Sequence, residues 1–133
     1  METKQLERMN LDDFGTGIIA GLAAEGIKAI SVTKLDAKIV AAFDWMEPQA
    51  ASEGIELRFR VILNKAYQDS PAARVAIRGA VSRGLLSSDN DNTLYIKIHK
   101  EDAVSLMENI PGSESLWRNT ARQIIDYKPG VKK

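Results

Sequence analysis

Ile55-Glu56-Leu57-Arg58-Phe59-Arg60-Val61-Ile62-Leu63 is the stretch on which the fold turns. Ile55, Leu57, Phe59, Val61 and Leu63 fall on one face of an extended chain, with Glu56, Arg58 and Arg60 on the other. Side chains alternate faces along a strand, so this period of two predicts a half-buried β-strand over 55–63. A second alternating run, Leu94-Tyr95-Ile96-Lys97-Ile98, predicts a strand able to pair with it. Whether 58–66 is strand or helix separates the two folds the chain permits.

Working outward, helices surround these runs. Asn10 followed by Leu11-Asp12-Asp13 reads as an N-cap with acids in the first turn, where the helix dipole favours them. That helix buries Phe14, Ile18 and Leu22 and stops at Gly26; Gly15, Gly17 and Gly21 weaken it unless they admit close packing. Ile27 to Val32 reads as a short strand. Thr33-Lys34-Leu35-Asp36 has the form of a capping box, and Leu35, Ile39, Phe43 and Met46 follow at helical spacing until Pro48 or Gly54 ends or bends the element. Ser70-Pro71 opens a further helix, with Ala73, Ile77, Ala80, Val81 and Gly84 on its predicted inner side. Ser87 to Asn92 is turn composition, Lys100-Glu101-Asp102 starts a short helix that ends at Pro111-Gly112, and Ser113 caps a last helix expected to stop at Pro129-Gly130.

The predicted fold class is therefore α+β: a small two- or three-stranded sheet, with 55–63 paired to 93–98, packed against helices. Residues 1–133 read as one domain, without internal repeats, and 133 residues can bury roughly two-thirds of the unfolded chain's surface. A sheet this small leaves open edges, which predicts dimerisation. The charged, polar N-terminus METKQLERMN and the absence of an apolar run approaching ~20 residues lead us to expect a cytoplasmic protein with no membrane partner.

The alternative is a winged helix-turn-helix. Ser70-Pro71-Ala72-Ala73-Arg74-Val75-Ala76-Ile77-Arg78-Gly79-Ala80-Val81-Ser82-Arg83-Gly84-Leu85-Leu86 resembles the recognition-helix-to-wing stretch of winged-helix transcription regulators. The resemblance covers under a third of the chain and requires 58–66 to be helical. It implies nucleic-acid contacts by Arg74 and Arg78, one turn apart on one helix face, with Lys97 supporting the wing. Separately, Leu11-Asp12-Asp13-Phe14-Gly15-Thr16-Gly17 resembles the acidic metal-binding stretch of EAL-type cyclic-di-GMP phosphodiesterases. That family's Glu-Ala-Leu motif is absent, and its barrel needs ~200 residues or more. Asp12 and Asp13 are accordingly read as first-turn helix residues.

Composition narrows function further. With no Cys and one His, there is no disulfide framework, zinc knuckle, thiol nucleophile or His-rich metal centre. Asp89-Asn90-Asp91-Asn92 lacks the glycine and distal glutamate of a calcium loop, and the glycines form neither a phosphate loop nor a dinucleotide fingerprint. No catalytic residue, metal site or cofactor is assigned; an acid/base or metal-dependent enzyme would need Asp12, Asp13 and His99 in one cleft. The neutral total, 18 basic against 18 acidic, hides an uneven distribution: five basic and nine acidic residues in 1–54, eight and four in 55–100. Such asymmetry suits a phosphate-bearing partner, an acidic protein or self-docking. The leading expectation is a non-enzymatic interaction or regulatory module, dimeric, with its contact surface in 55–100. A winged-helix nucleic-acid binder is the rival.

Overall fold

The computed structural model describes residues 7–88 and 92–127. Its elements are β1 (Glu7–Met9), α1 (Leu11–Ala24), β2 (Ala29–Ser31), α2 (Leu35–Ser52), β3 (Ile55–Leu57), α3 (Pro71–Ser82), β4 (Leu86–Ser88), β5 (Thr93–Ile96), α4 (Lys100–Glu108) and α5 (Glu114–Ile125). The fold is mixed α+β, with a two-stranded and a three-stranded sheet packed against the helices.

Helix α1 begins at a reciprocal cap. Asn10 Oδ1 accepts the Asp13 N–H at 2.8 Å, and Asp13 Oδ2 accepts the Asn10 N–H at 3.1 Å. Phe14, Ile18, Ile19 and Leu22 are buried along it, and α3, α4 and α5 all pack around it. Gly17 and Gly21 give α5 its close approach: a Cβ on Gly17 would stand 2.4 Å from the Trp117 ring, and one on Gly21 2.4 Å from the Trp117 carbonyl oxygen. Trp117 is fully buried and donates its indole N–H to Pro111 O at 2.9 Å. Beyond the end of α1, Glu25 accepts from Arg118 Nε at 2.7 Å and meets Arg122 at 2.8 Å, which fixes α5 along α1.

Three expectations from the sequence need correction here. Residues 55–63 do not pair with 93–98: β3 keeps three residues and pairs in parallel with β1, while both edges of β5 are taken antiparallel by β2 and β4. Nor is 33–36 a capping box. Lys34 is the N-cap, left-handed at φ 55° with no side-chain cap, because the Asp36 carboxylate is committed to α3. Helix α2 runs through Pro48, with Ala50 buried beyond it, and stops at Gly54 in the left-handed region, the later of the two stops the sequence offers. The inner side of α3 is Ala73, Ala76 and Ala80, and Val81 is exposed. Residues 89–91 of the predicted turn and the predicted stop at Pro129-Gly130 lie outside the described residues.

Residues 58–63 are neither helix nor paired strand. Phe59 packs its ring between Phe14 and Phe43, at centroid distances of 5.3 and 5.4 Å, and Val61 is buried; Arg58, Arg60 and Ile62 are exposed. The period of two thus sets which side chain faces the core even without a ladder.

The larger sheet has the order β2–β5–β4, with α1 before β2, α2 and α3 between β2 and β4, and α3 leading straight into the β4–β5 hairpin. A helix running into a two-stranded hairpin is the arrangement that the winged-helix resemblance implies for 70–98. The chain departs from the resemblance in two respects: 58–66, which the resemblance requires to be helical, holds no helix, and the 18 residues 53–70 separate α2 from α3, where a helix-turn-helix has a turn of three or four.

Candidate nucleic-acid interface

Helix α3 owes its start to local chemistry. Ser70 is fully buried and its Oγ accepts the Ala73 N–H at 3.2 Å, while Pro71 fills the first helical position, where a missing N–H costs nothing. One long-range clamp then fixes α3 against α2. Asp36 Oδ2 accepts both the Ser70 backbone N–H at 2.8 Å and Arg74 Nε at 2.9 Å, and Asp69 approaches Arg74 at 3.9 Å. The carboxylate sits at two helix N-termini at once, where partial positive charge stabilises it. At the other end, Arg83 donates to Thr16 Oγ1 at 2.8 Å and pairs with Asp12 at 3.3 Å, locking α3 to α1.

Between these anchors α3 presents a groove of about 520 Å³, lined by Val32, Leu35, Ile77, Val81 and Leu94 and by the charged Asp36, Arg74 and Arg78. Its lining is mainly apolar, with two arginines and one carboxylate among the charged groups. Arg74 and Arg78 meet there, as the one-turn spacing predicts, but they are not equivalent. Arg74 is held by two carboxylates, whereas Arg78 is exposed and makes no ion pair or side-chain hydrogen bond among the described residues. Val75 is also exposed, at 47%. Lys97 is not part of the groove: its backbone N–H bonds Leu85 O at the base of the β4–β5 hairpin, and its side chain is exposed there. The α3–hairpin groove and the Asp36 clamp went unseen in the sequence, since their residues lie far apart along the chain.

Asp12, Asp13 and His99, which the acid/base or metal-dependent reading needs in one cleft, do not converge. Asp13 caps α1 and Asp12 pairs with Arg83, both at the N-terminal end of α1. His99 lines a recess with Ala23 and Gly26 at the opposite end, ~16 Å away at 1.5 Å per residue. Among the described residues no three His, Asp or Glu side chains are grouped to hold a metal ion, and no helix is long and apolar enough to cross a membrane. One carboxyl departs clearly from its usual range: partial burial and the neighbouring Glu47 raise the Asp44 carboxyl, on α2. No family model, no curated protein and no solved structure matches the chain.

Proposed function

We propose that the chain is an interaction module whose contact surface, within residues 55–100, is built by α3 and the β4–β5 hairpin, and that this surface grips a nucleic acid. The observation that carries the reading is the strand order β2–β5–β4 with α3 running directly into the hairpin. The step from this connectivity to a nucleic-acid partner is an analogy of fold. Arg78, exposed and without a partner among the described residues, gives the analogy a chemical basis, since a guanidinium can bond phosphate or a base edge in bidentate fashion. Arg74 contributes less, because Asp36 and Asp69 already occupy it. A cytoplasmic setting goes with such a partner.

The test is fluorescence anisotropy with a labelled mixed-sequence DNA duplex across a salt series. The proposal expects saturable binding, with log affinity falling linearly in log salt by about 0.9 per neutralised phosphate. No binding at low salt overturns it. A protein partner is then the second reading, favoured by the apolar lining of the groove, Val32, Leu35, Ile77, Val81 and Leu94. Short, open-edged sheets further support self-association of the module.

A further inference from the structure

A second recess, of about 320 Å³, lies away from α3, where α1 ends and α4 begins. Four apolar side chains line it, Ala23, Ile27, Ile96 and Ile98, together with the basic Lys28, His99 and Lys100; no carboxylate does. The apolar four are buried or half-buried and the three basic residues are exposed, so the apolar surface lies inward and the basic groups toward solvent. Backbone pairing brings the two groups together. Gly26, left-handed at φ 83°, turns the chain off α1, and Ile27 N–H bonds Leu22 O at 2.9 Å. Lys28 O then accepts the Ile96 N–H at 2.8 Å, which sets Lys28 beside the end of β5, and Ile98 and His99 follow before α4 opens at Lys100.

The three basic groups are not engaged elsewhere: Lys28, His99 and Lys100 make no ion pair or side-chain hydrogen bond among the described residues. Glu25, at the end of α1, is held by Arg118 and Arg122. Glu101 and Asp102 follow Lys100 along α4 but are not part of the lining. An apolar recess with converging charge of one sign fits an amphiphilic ligand of the other. We infer that the recess binds a small organic acid, a carboxylate on a short apolar chain, with the chain against Ala23, Ile27, Ile96 and Ile98 and the carboxylate met by Lys28, His99 and Lys100. Its volume stands at the small end of ligand pockets, which suits a free acid of short chain rather than a long acyl lipid. The α3 groove also joins apolar and basic side chains, but Asp36 stands in its lining and engages Arg74, which opposes a carboxylate there. The two sites share no residue, so the inference goes beyond the nucleic-acid reading and can fail without it.

Octanoate is the probe, titrated into the full chain by isothermal calorimetry, with acetate as the control that lacks the chain and octanol as the one that lacks the charge. Octanoate should saturate a single site about tenfold more tightly than either control. From butyrate to octanoate, affinity should rise by about threefold per methylene as the chain fills the recess. Removing both ammonium charges, in the double variant Lys28→Gln and Lys100→Gln, should weaken octanoate by about tenfold. Both residues are exposed, and a thermal melt checks that the fold is kept. Arg78→Ala, in the α3 groove, should leave octanoate binding unchanged. Four results overturn the inference: no saturation up to about 10 mM octanoate, octanol binding as well as octanoate, no gain with chain length, or an equal loss in Arg78→Ala and the lysine variant. Attachment to phosphatidylglycerol vesicles without binding of the free acid overturns it too, since the anion recognised would then be a membrane's.

Discussion

Gly21→Ala measures how far the α1–α5 contact controls the fold. In an exposed helix interior, alanine in place of glycine should stabilise by up to about 1 kcal/mol. Here the new methyl would stand 2.4 Å from Trp117 O and 3.0 Å from Ala121 Cβ. Neither atom can rotate aside, since one belongs to the α5 backbone and the other is attached directly to it. The helices must therefore separate by about 1 Å, and overpacking of a tight core costs about 1–3 kcal/mol, at times more. We expect a net loss of about 2 kcal/mol, which for a chain of this length lowers the midpoint by roughly 6–10 °C. Thermal and urea unfolding followed by circular dichroism is the assay, with Gly79→Ala as the control. A Cβ on Gly79 meets Arg83 and Asp12, at 3.0 and 3.3 Å, only at the ends of side chains that can move, so this variant should hold or gain stability. If Gly21→Ala stabilises as much as Gly79→Ala, close helix packing at Gly21 is not what the residue is for.

Three further outcomes follow from the same contacts. Asp36→Asn keeps an acceptor for the Ser70 N–H but removes the charge that holds Arg74. It should lower unfolding stability by about 1–2 kcal/mol while tightening duplex binding and steepening its salt dependence, readable by urea titration and anisotropy. Glu25→Ala removes the acceptor shared by Arg118 and Arg122, both partly exposed, and should cost about 1–2 kcal/mol by the same unfolding assay. For Asp44, a carboxyl raised in the folded state makes its ionisation unfavourable to folding, so stability falls as pH rises from its unfolded value of 3.8 through its folded one. Asp44→Asn should accordingly raise the melting temperature at pH 7, with the advantage disappearing below pH 3.

What could be read from the sequence was what local chemistry decides. Asn10, Ser70-Pro71 and Ser113 mark three helix starts because capping needs only a few neighbouring residues. The alternation at 55–63 gave the buried and exposed faces correctly, yet it could not say what the segment pairs with, since pairing depends on which sheet edges are free elsewhere. Its partner was taken to be 93–98, but β2 lies beside β5 by a long-range choice no local pattern records. Leu35-Asp36 looked like part of a cap because Asp36 is well placed for one; its acceptor oxygen serves Ser70, 34 positions away. Gly17 and Gly21 pointed to close packing without naming Trp117. At the candidate site, the spacing of Arg74 and Arg78 placed both on one helix face, but only the tertiary contacts show the groove they line and distinguish the clamped arginine from the one with no partner among the described residues.

The most direct measurement is the salt dependence of duplex affinity for Arg78→Ala beside Arg83→Ala. Arg78 is exposed and unpaired among the described residues, while Arg83 is spent on Asp12 and Thr16. If α3 presents its outer face to nucleic acid, Arg78→Ala weakens binding and reduces the slope of log affinity against log salt by about 0.9, and Arg83→Ala leaves the slope unchanged. An unchanged slope in Arg78→Ala, or an equal reduction in both variants, contradicts it.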